Sequence, residues 1–195
     1  MLPAFPPELL RGARNCVIHY GGVKKGDQVV IVSELGSYID PVVVQAQATV
    51  CQEVGAEVQV LWTKRLTDSW WEELSPIVRA AVGAADVVLQ NSQSIGKTHL
   101  LDMMLNKKVR RIRNYATDVI LLCSEWANFP VEVQDLVEIK VNTRLREAKA
   151  YRITTPAGTD INGEIARTIR PWRKDIKRSK GMNVSFPPSV FRAME

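Results

Sequence analysis

Gln28-Val-Val-Ile-Val-Ser-Glu-Leu35, followed by Asp40-Pro41 and then by Ala56-Glu-Val-Gln-Val-Leu-Trp62, decides the fold of this chain. The first stretch is dense in Val and Ile with no polar alternation, the pattern of a strand buried on both faces of a parallel sheet. Asp40-Pro41 supplies an N-cap residue and a proline at the first helical position. Val44, Ala48, Cys51 and Val54 then recur at helical spacing. Ala56 to Trp62 reads as a second strand. Residues 28–62 are therefore a β-α-β unit, and a right-handed crossover makes its strands parallel.

The flanking segments extend the same alternation. Pro7-Glu8 opens a helix with a carboxylate near its positive end, and Leu9, Leu10, Ala13, Cys16, Val17 and Tyr20 mark its inner face. Gly21-Gly22 ends it. Asp68 to Val82 reads as a helix, Ala85–Gln90 as a third strand and Thr98–Asn106 as a further helix. Val109–Ile112 reads as a short fourth strand, and Asp118–Asn128 stays open between helix and strand. Pro130 to Lys149 reads as helical, with Val133, Leu136, Val137 and Val141 spaced as a core stripe. Tyr151–Thr155 and Thr159–Ile165 read as a hairpin, because Pro156-Ala157-Gly158 is turn chemistry. The expected fold class is α/β: three layers around a mostly parallel sheet, Rossmann-like or flavodoxin-like, ending in a β-hairpin that begins a second domain. The expected domains are 1–150 and a truncated second domain over 151–195.

Composition sets broad limits. In 195 residues, 46% are hydrophobic and 24% charged, as in ordinary globular proteins. No apolar run reaches the roughly 18–20 residues of a membrane span. The amino terminus, Met1 to Pro7, lacks the basic and apolar regions of a secretory signal, so the expected location is cytoplasmic. Cys16, Cys51 and Cys123 match no zinc spacing and read as buried, reduced thiols. The net charge of +5 is local, since residues 167–180 alone carry +6.

Ligand sites in such a fold lie at the carboxyl ends of the strands. The loop after the first strand has only Gly36 and lacks the G-x-G-x-x-G dinucleotide fingerprint. The loop Asn91-Ser-Gln-Ser-Ile-Gly-Lys-Thr98 ends like a P-loop but has Asn91 where its first glycine belongs. His99 beside that loop and Asp160 in the hairpin turn are the candidates for facing substrate. Asp160 reads more readily as a cap of the turn than as a catalytic group. Two histidines, His19 and His99, without a Cys or carboxylate cluster cannot build a transition-metal site from this chain alone. Trp70 and Trp71 cannot both face one core, so one is expected at an interface or over a cleft. Arg170, Trp172 and Arg173 mix cations with an aromatic. They read as facing a partner rather than nucleic acid, since no nucleic-acid motif accompanies them.

Three stretches carry a family resemblance: Val23–Val32 leading into Asp40-Pro41, Arg152-Ile-Thr-Thr-Pro-Ala-Gly-Thr-Asp160, and Gly181-Met-Asn-Val-Ser-Phe-Pro-Pro-Ser-Val-Phe191. In this order they resemble the amino-terminal half of the aminopeptidase T family of metallopeptidases. That architecture is shared by 2,5-dihydroxypyridine dioxygenase-like proteins and related amidohydrolases. The last stretch keeps the prolines and a strand but lacks the family's Gly-Glu. The resemblance implies a divalent metal held by Glu, His and Asp of a carboxy-terminal domain, none of them in this chain. It implies peptide or amide hydrolysis or, in the other branch, ring cleavage by a dioxygenase. The expected partners are the missing metal domain or a partner chain, together with further copies in a homo-oligomer. A non-catalytic subunit or binding module is the alternative.

Overall fold

The computed structural model describes residues 5–36, 39–64, 75–91, 109–164 and 183–186. Helix α1 (Pro7–Arg14) begins at a proline, carries Glu8 in its first turn and buries Leu9 and Ala13. Gly12 admits a close neighbour there, since a Cβ would meet the Leu122 carbonyl oxygen at 2.0 Å. The helix was expected to run unbroken to Tyr20, but from Asn15 to Tyr20 it widens into a π-helix. Gly22, at φ 61°, then turns the chain away.

The expected β-α-β unit is present. Strand β1 (Gln28–Glu34), helix α2 (Pro41–Glu53) and strand β2 (Glu57–Thr63) follow in order, and β1 and β2 pair parallel from Gln28↔Glu57 to Glu34↔Thr63. Asp40 caps α2, its Oδ1 accepting from the Val42 amide at 2.8 Å. Helix α3 (Pro76–Ala84) starts at a Ser75 cap, and residues 68–74 of the expected helix lie outside the described residues. Pro76 has no amide hydrogen to donate and fits only a first turn. Ile77 on its outer side is 75% exposed.

Strand β3 (Val87–Asn91) pairs parallel with β1, and β4 (Arg110–Asn114) pairs parallel with β3. The ambiguous stretch near residue 120 resolves as a short helix α4 (Val119–Cys123), capped by Asp118. Helix α5 (Val131–Glu147) leads to strands β5 (Ala150–Thr154) and β6 (Asp160–Glu164), which form the expected antiparallel hairpin. Strand β7 (Asn183–Phe186) pairs parallel with β4, so the sheet order is β2-β1-β3-β4-β7. This is the flavodoxin-like order in an α/β fold with a mixed set of helices and a separate hairpin.

Helices cover both faces of the sheet. On one face Val29, Ile31, Val87, Leu89, Ile112 and Phe186 pack with Leu9, Val17, Tyr20, Val43 and Val50. On the other, Val30, Val32 and Val88 meet Val78 and Val82 of α3. The doubly apolar reading of β1 is thus explained by burial on both faces.

The described residues form two compact units, one up to Val131 together with Asn183–Phe186, the other Glu132–Glu164. The expected boundary lay at residue 150, with everything beyond it in a second domain. Helix α5 groups with the hairpin, and β7 pairs in the first sheet. The physical reason is the open edge of β4: β7 pairs with it, and the fully buried Phe186 ring meets Tyr20 edge-to-face at 5.2 Å. The core stripe expected on α5 also faces the other way. Val133, Leu136 and Val137 are 44%, 68% and 40% exposed, whereas Gln134 is 7% exposed.

Candidate functional site

In this strand order the chain's connections run to opposite sides of β1, so the crevice of an open α/β sheet falls at the carboxyl ends of β1 and β3. The residues there are Ser33 and Glu34 on β1, Gln90 and Asn91 on β3, and Arg113 and Asn114 on β4. Strand alternation sends Ser33, Asn91 and Asn114 to the face covered by α2. It sends Glu34, Gln90 and Arg113 to the face of α3.

On the α2 face the polar groups form a directed chain of amides. Asn114 Nδ2 donates to Asn91 Oδ1 at 2.9 Å and to the Ala116 carbonyl at 3.1 Å. Asn114 Oδ1 in turn accepts from the Ala116 amide. Asn91 Nδ2 donates to Gln47 Oε1 at 2.7 Å and more weakly to Ser33 Oγ at 3.5 Å. Gln47 Nε2 ends the chain on Cys16 Sγ at 3.7 Å. Ser33, Gln47 and Asn91 have no exposed surface. Such groups are tolerated in a core only when satisfied, and each donor here supports the next.

On the α3 face Arg111 donates through Nε to Gln90 Oε1 at 2.6 Å and through Nη2 to the same oxygen. Burial, with the Arg113 charge nearby, holds the Arg111 guanidinium down at about 10. Arg113 lies over the Tyr115 ring, 4.9 Å from its centre. At the other end of β4, Arg110 donates to the Gly22 carbonyl and to the Asp27 carboxylate, Arg110 and Asp27 both being largely buried. Three arginines in one five-residue strand, two of them buried, each find an acceptor or a ring.

Cys16 and Cys51 are buried, whereas Cys123, expected buried, is partly exposed. Cys51 is pushed up to about 12, chiefly by desolvation, and Cys16 is raised further by burial and by Cys51. Neither is a thiolate nucleophile at neutral pH. Among the described residues no group of three or more His, Cys, Asp or Glu could hold a metal ion. The described donor set does not fit the divalent metal that the resemblance implies.

Of the residues expected to face substrate or a partner, Asp160 alone is described. It stands at the start of β6, exposed, where Arg152 donates to its two carboxylate oxygens at 2.8 Å each. The guanidinium holds that carboxyl below its usual range. His99, Trp70, Trp71, Arg170, Trp172 and Arg173 lie outside the described residues. Sequence reasoning missed Ser33, Gln47, Asn114 and the β4 arginines. The usable signal was a polar residue closing each apolar strand, at the end where such sheets bind ligands.

No described protein family and no curated protein matches the sequence. What the fold and crevice define is an open α/β sheet domain of flavodoxin-like strand order. Among solved structures, it is similar to 2,5-dihydroxypyridine dioxygenase from Pseudomonas putida KT2440, with a TM-score of 0.63 and 15% identity. The similarity covers 97% of this chain and 56% of that one, so the chain spans about half the neighbour's length. At that identity the likeness is one of fold.

Among the described residues no helix is long and apolar enough to cross a membrane.

Proposed function

We propose that this chain is the scaffold half of a metal-dependent enzyme of the 2,5-dihydroxypyridine dioxygenase kind, with metal ligands supplied from outside it. The observation that carries this is the fold likeness across 97% of the chain, against 56% of a dioxygenase. In this reading the metal, when bound, supplies the oxidative chemistry. This chain's own contribution is a rigid wall: the amide chain Asn114–Asn91–Gln47, with Ser33 beside Asn91, holds three strand ends and α2 in one register. The ligand-bearing region is either further sequence in the same protein or a partner chain. The hydrolase branch of the resemblance has no observation in its favour.

Metal content and oxygen uptake test this. The purified 195-residue chain should bind no stoichiometric iron or zinc by elemental analysis. With the ligand-bearing region supplied, ferrous iron and 2,5-dihydroxypyridine should consume oxygen. Stoichiometric metal on this chain alone, or aminoacyl-amide hydrolysis without oxygen uptake, overturns the proposal.

A further inference from the structure

Helix α5 buries a polar residue and exposes apolar ones. Gln134 is 7% exposed, and its Nε2 has no hydrogen-bond partner among the described residues. Val133, Leu136, Val137 and Ile139 are each at least 40% exposed. Residues three and four apart share a helix face, so Val133, Leu136, Val137 and Lys140 make one continuous stripe with Leu136 at its middle. Clustered apolar surface of this kind marks an interaction site rather than ordinary exposure.

We infer that α5 is an interaction surface that pairs antiparallel with α5 of a second copy of this chain. The charges along the helix select that occupant. Its first turn carries exposed Glu132 and its middle exposed Lys140, while at its far end Arg144 pairs with Glu147 of the same helix. An antiparallel copy crossing at Leu136 brings the acidic end of each helix to the level of the other's basic end. Glu132, four residues before the crossing, meets the level of Lys140, four residues after it. A parallel copy sets like charges together. A twofold axis repeats every favourable contact, which is the geometry of an isologous dimer. Opposed helix dipoles add to the same preference.

Sedimentation equilibrium of the full 195-residue chain at micromolar concentration reads this directly. The expected result is a monomer–dimer equilibrium that Leu136→Glu abolishes. Circular dichroism should stay unchanged, since a side chain 68% exposed tolerates the carboxylate. Lys140→Glu should weaken the dimer about tenfold, because two cross-pairs turn repulsive. Glu132→Lys combined with Lys140→Glu should restore it. A strictly monomeric chain, a dimer indifferent to Leu136→Glu, or a charge reversal that the double exchange fails to rescue overturns the inference.

Discussion

The unit around the sheet and the unit around α5 treat polar and apolar groups in opposite ways. In the first, Asn91, Gln47 and Asn114 are buried and joined amide to amide, while valines and isoleucines fill both sheet faces. In the second, Gln134 is the buried group and Leu136 the exposed one, and every residue of β5 is exposed. The first unit is closed on itself. The second presents its apolar groups, with Ile153 and Ile161 paired across the hairpin and each 52% exposed. A two-stranded hairpin of this kind has little stability of its own. The buried amide network and the exposed apolar groups thus sit in separate parts of the chain.

That contrast can be broken by mutation. The largest effect is expected at Asn91, whose replacement by Ala leaves Gln47 Oε1 and an Asn114 N–H without their partners in the core. Orphaned buried polar groups cost ~1–3 kcal/mol each, so the urea midpoint should fall by an amount equivalent to about 2–4 kcal/mol. An unchanged midpoint would mean that water reaches the strand ends and that the first unit is not closed.

A smaller effect is expected with pH. Cys51 keeps its proton up to about 12 in the fold, against 9.0 for a free thiol. A group raised on folding adds nothing unfavourable below its unfolded value. Above about 9 the unfolded chain ionises while the folded one does not, so stability falls as pH climbs toward 12. At pH 10 the loss is about 1.4 kcal/mol for one such thiol. Urea titrations of wild type and Cys51→Ala at pH 8 and pH 10 should show a shallower decline in the variant. Parallel declines would place the thiol in contact with solvent.

The smallest effect belongs to the hairpin. Arg152 and Asp160 pair through two hydrogen bonds, yet both are exposed, and water competes for them. Arg152→Ala should leave the thermal midpoint of the whole chain unmoved at low and high salt. A shift as large as that of Asn91→Ala would erase the distinction between the two units.

Much of the fold was legible because local chemistry and tertiary placement agreed. Asp40-Pro41 caps α2, Pro156-Ala157-Gly158 turns the hairpin with Gly158 at φ 95°, and the doubly apolar β1 lies in mid-sheet. Two features were not legible, each for a stated reason. Periodicity reveals that Val133, Leu136 and Val137 share a face but is silent on which way the face points. A short strand such as Asn183–Phe186 carries no mark of its partner, since β4 lies far away in sequence. At the crevice, amides such as Gln47 and Asn114 resemble ordinary surface residues until the strand order brings them together. Asp160 was visible through its turn. The likeness of fold reaches the dioxygenase branch of the resemblance and gives no support to peptide hydrolysis.

Strand β7 has a consequence for how the molecule is made. A ribosome releases β4 and the whole of α5 and the hairpin before Asn183–Phe186 exists. Until then the outer edge of β4 offers unpaired backbone groups, and the place beside Tyr20 lacks its Phe186 ring. An exposed parallel edge waiting on a distant segment slows folding and invites association with other chains. Nascent chains released before Phe186 emerges should therefore be the ones that chaperones hold longest.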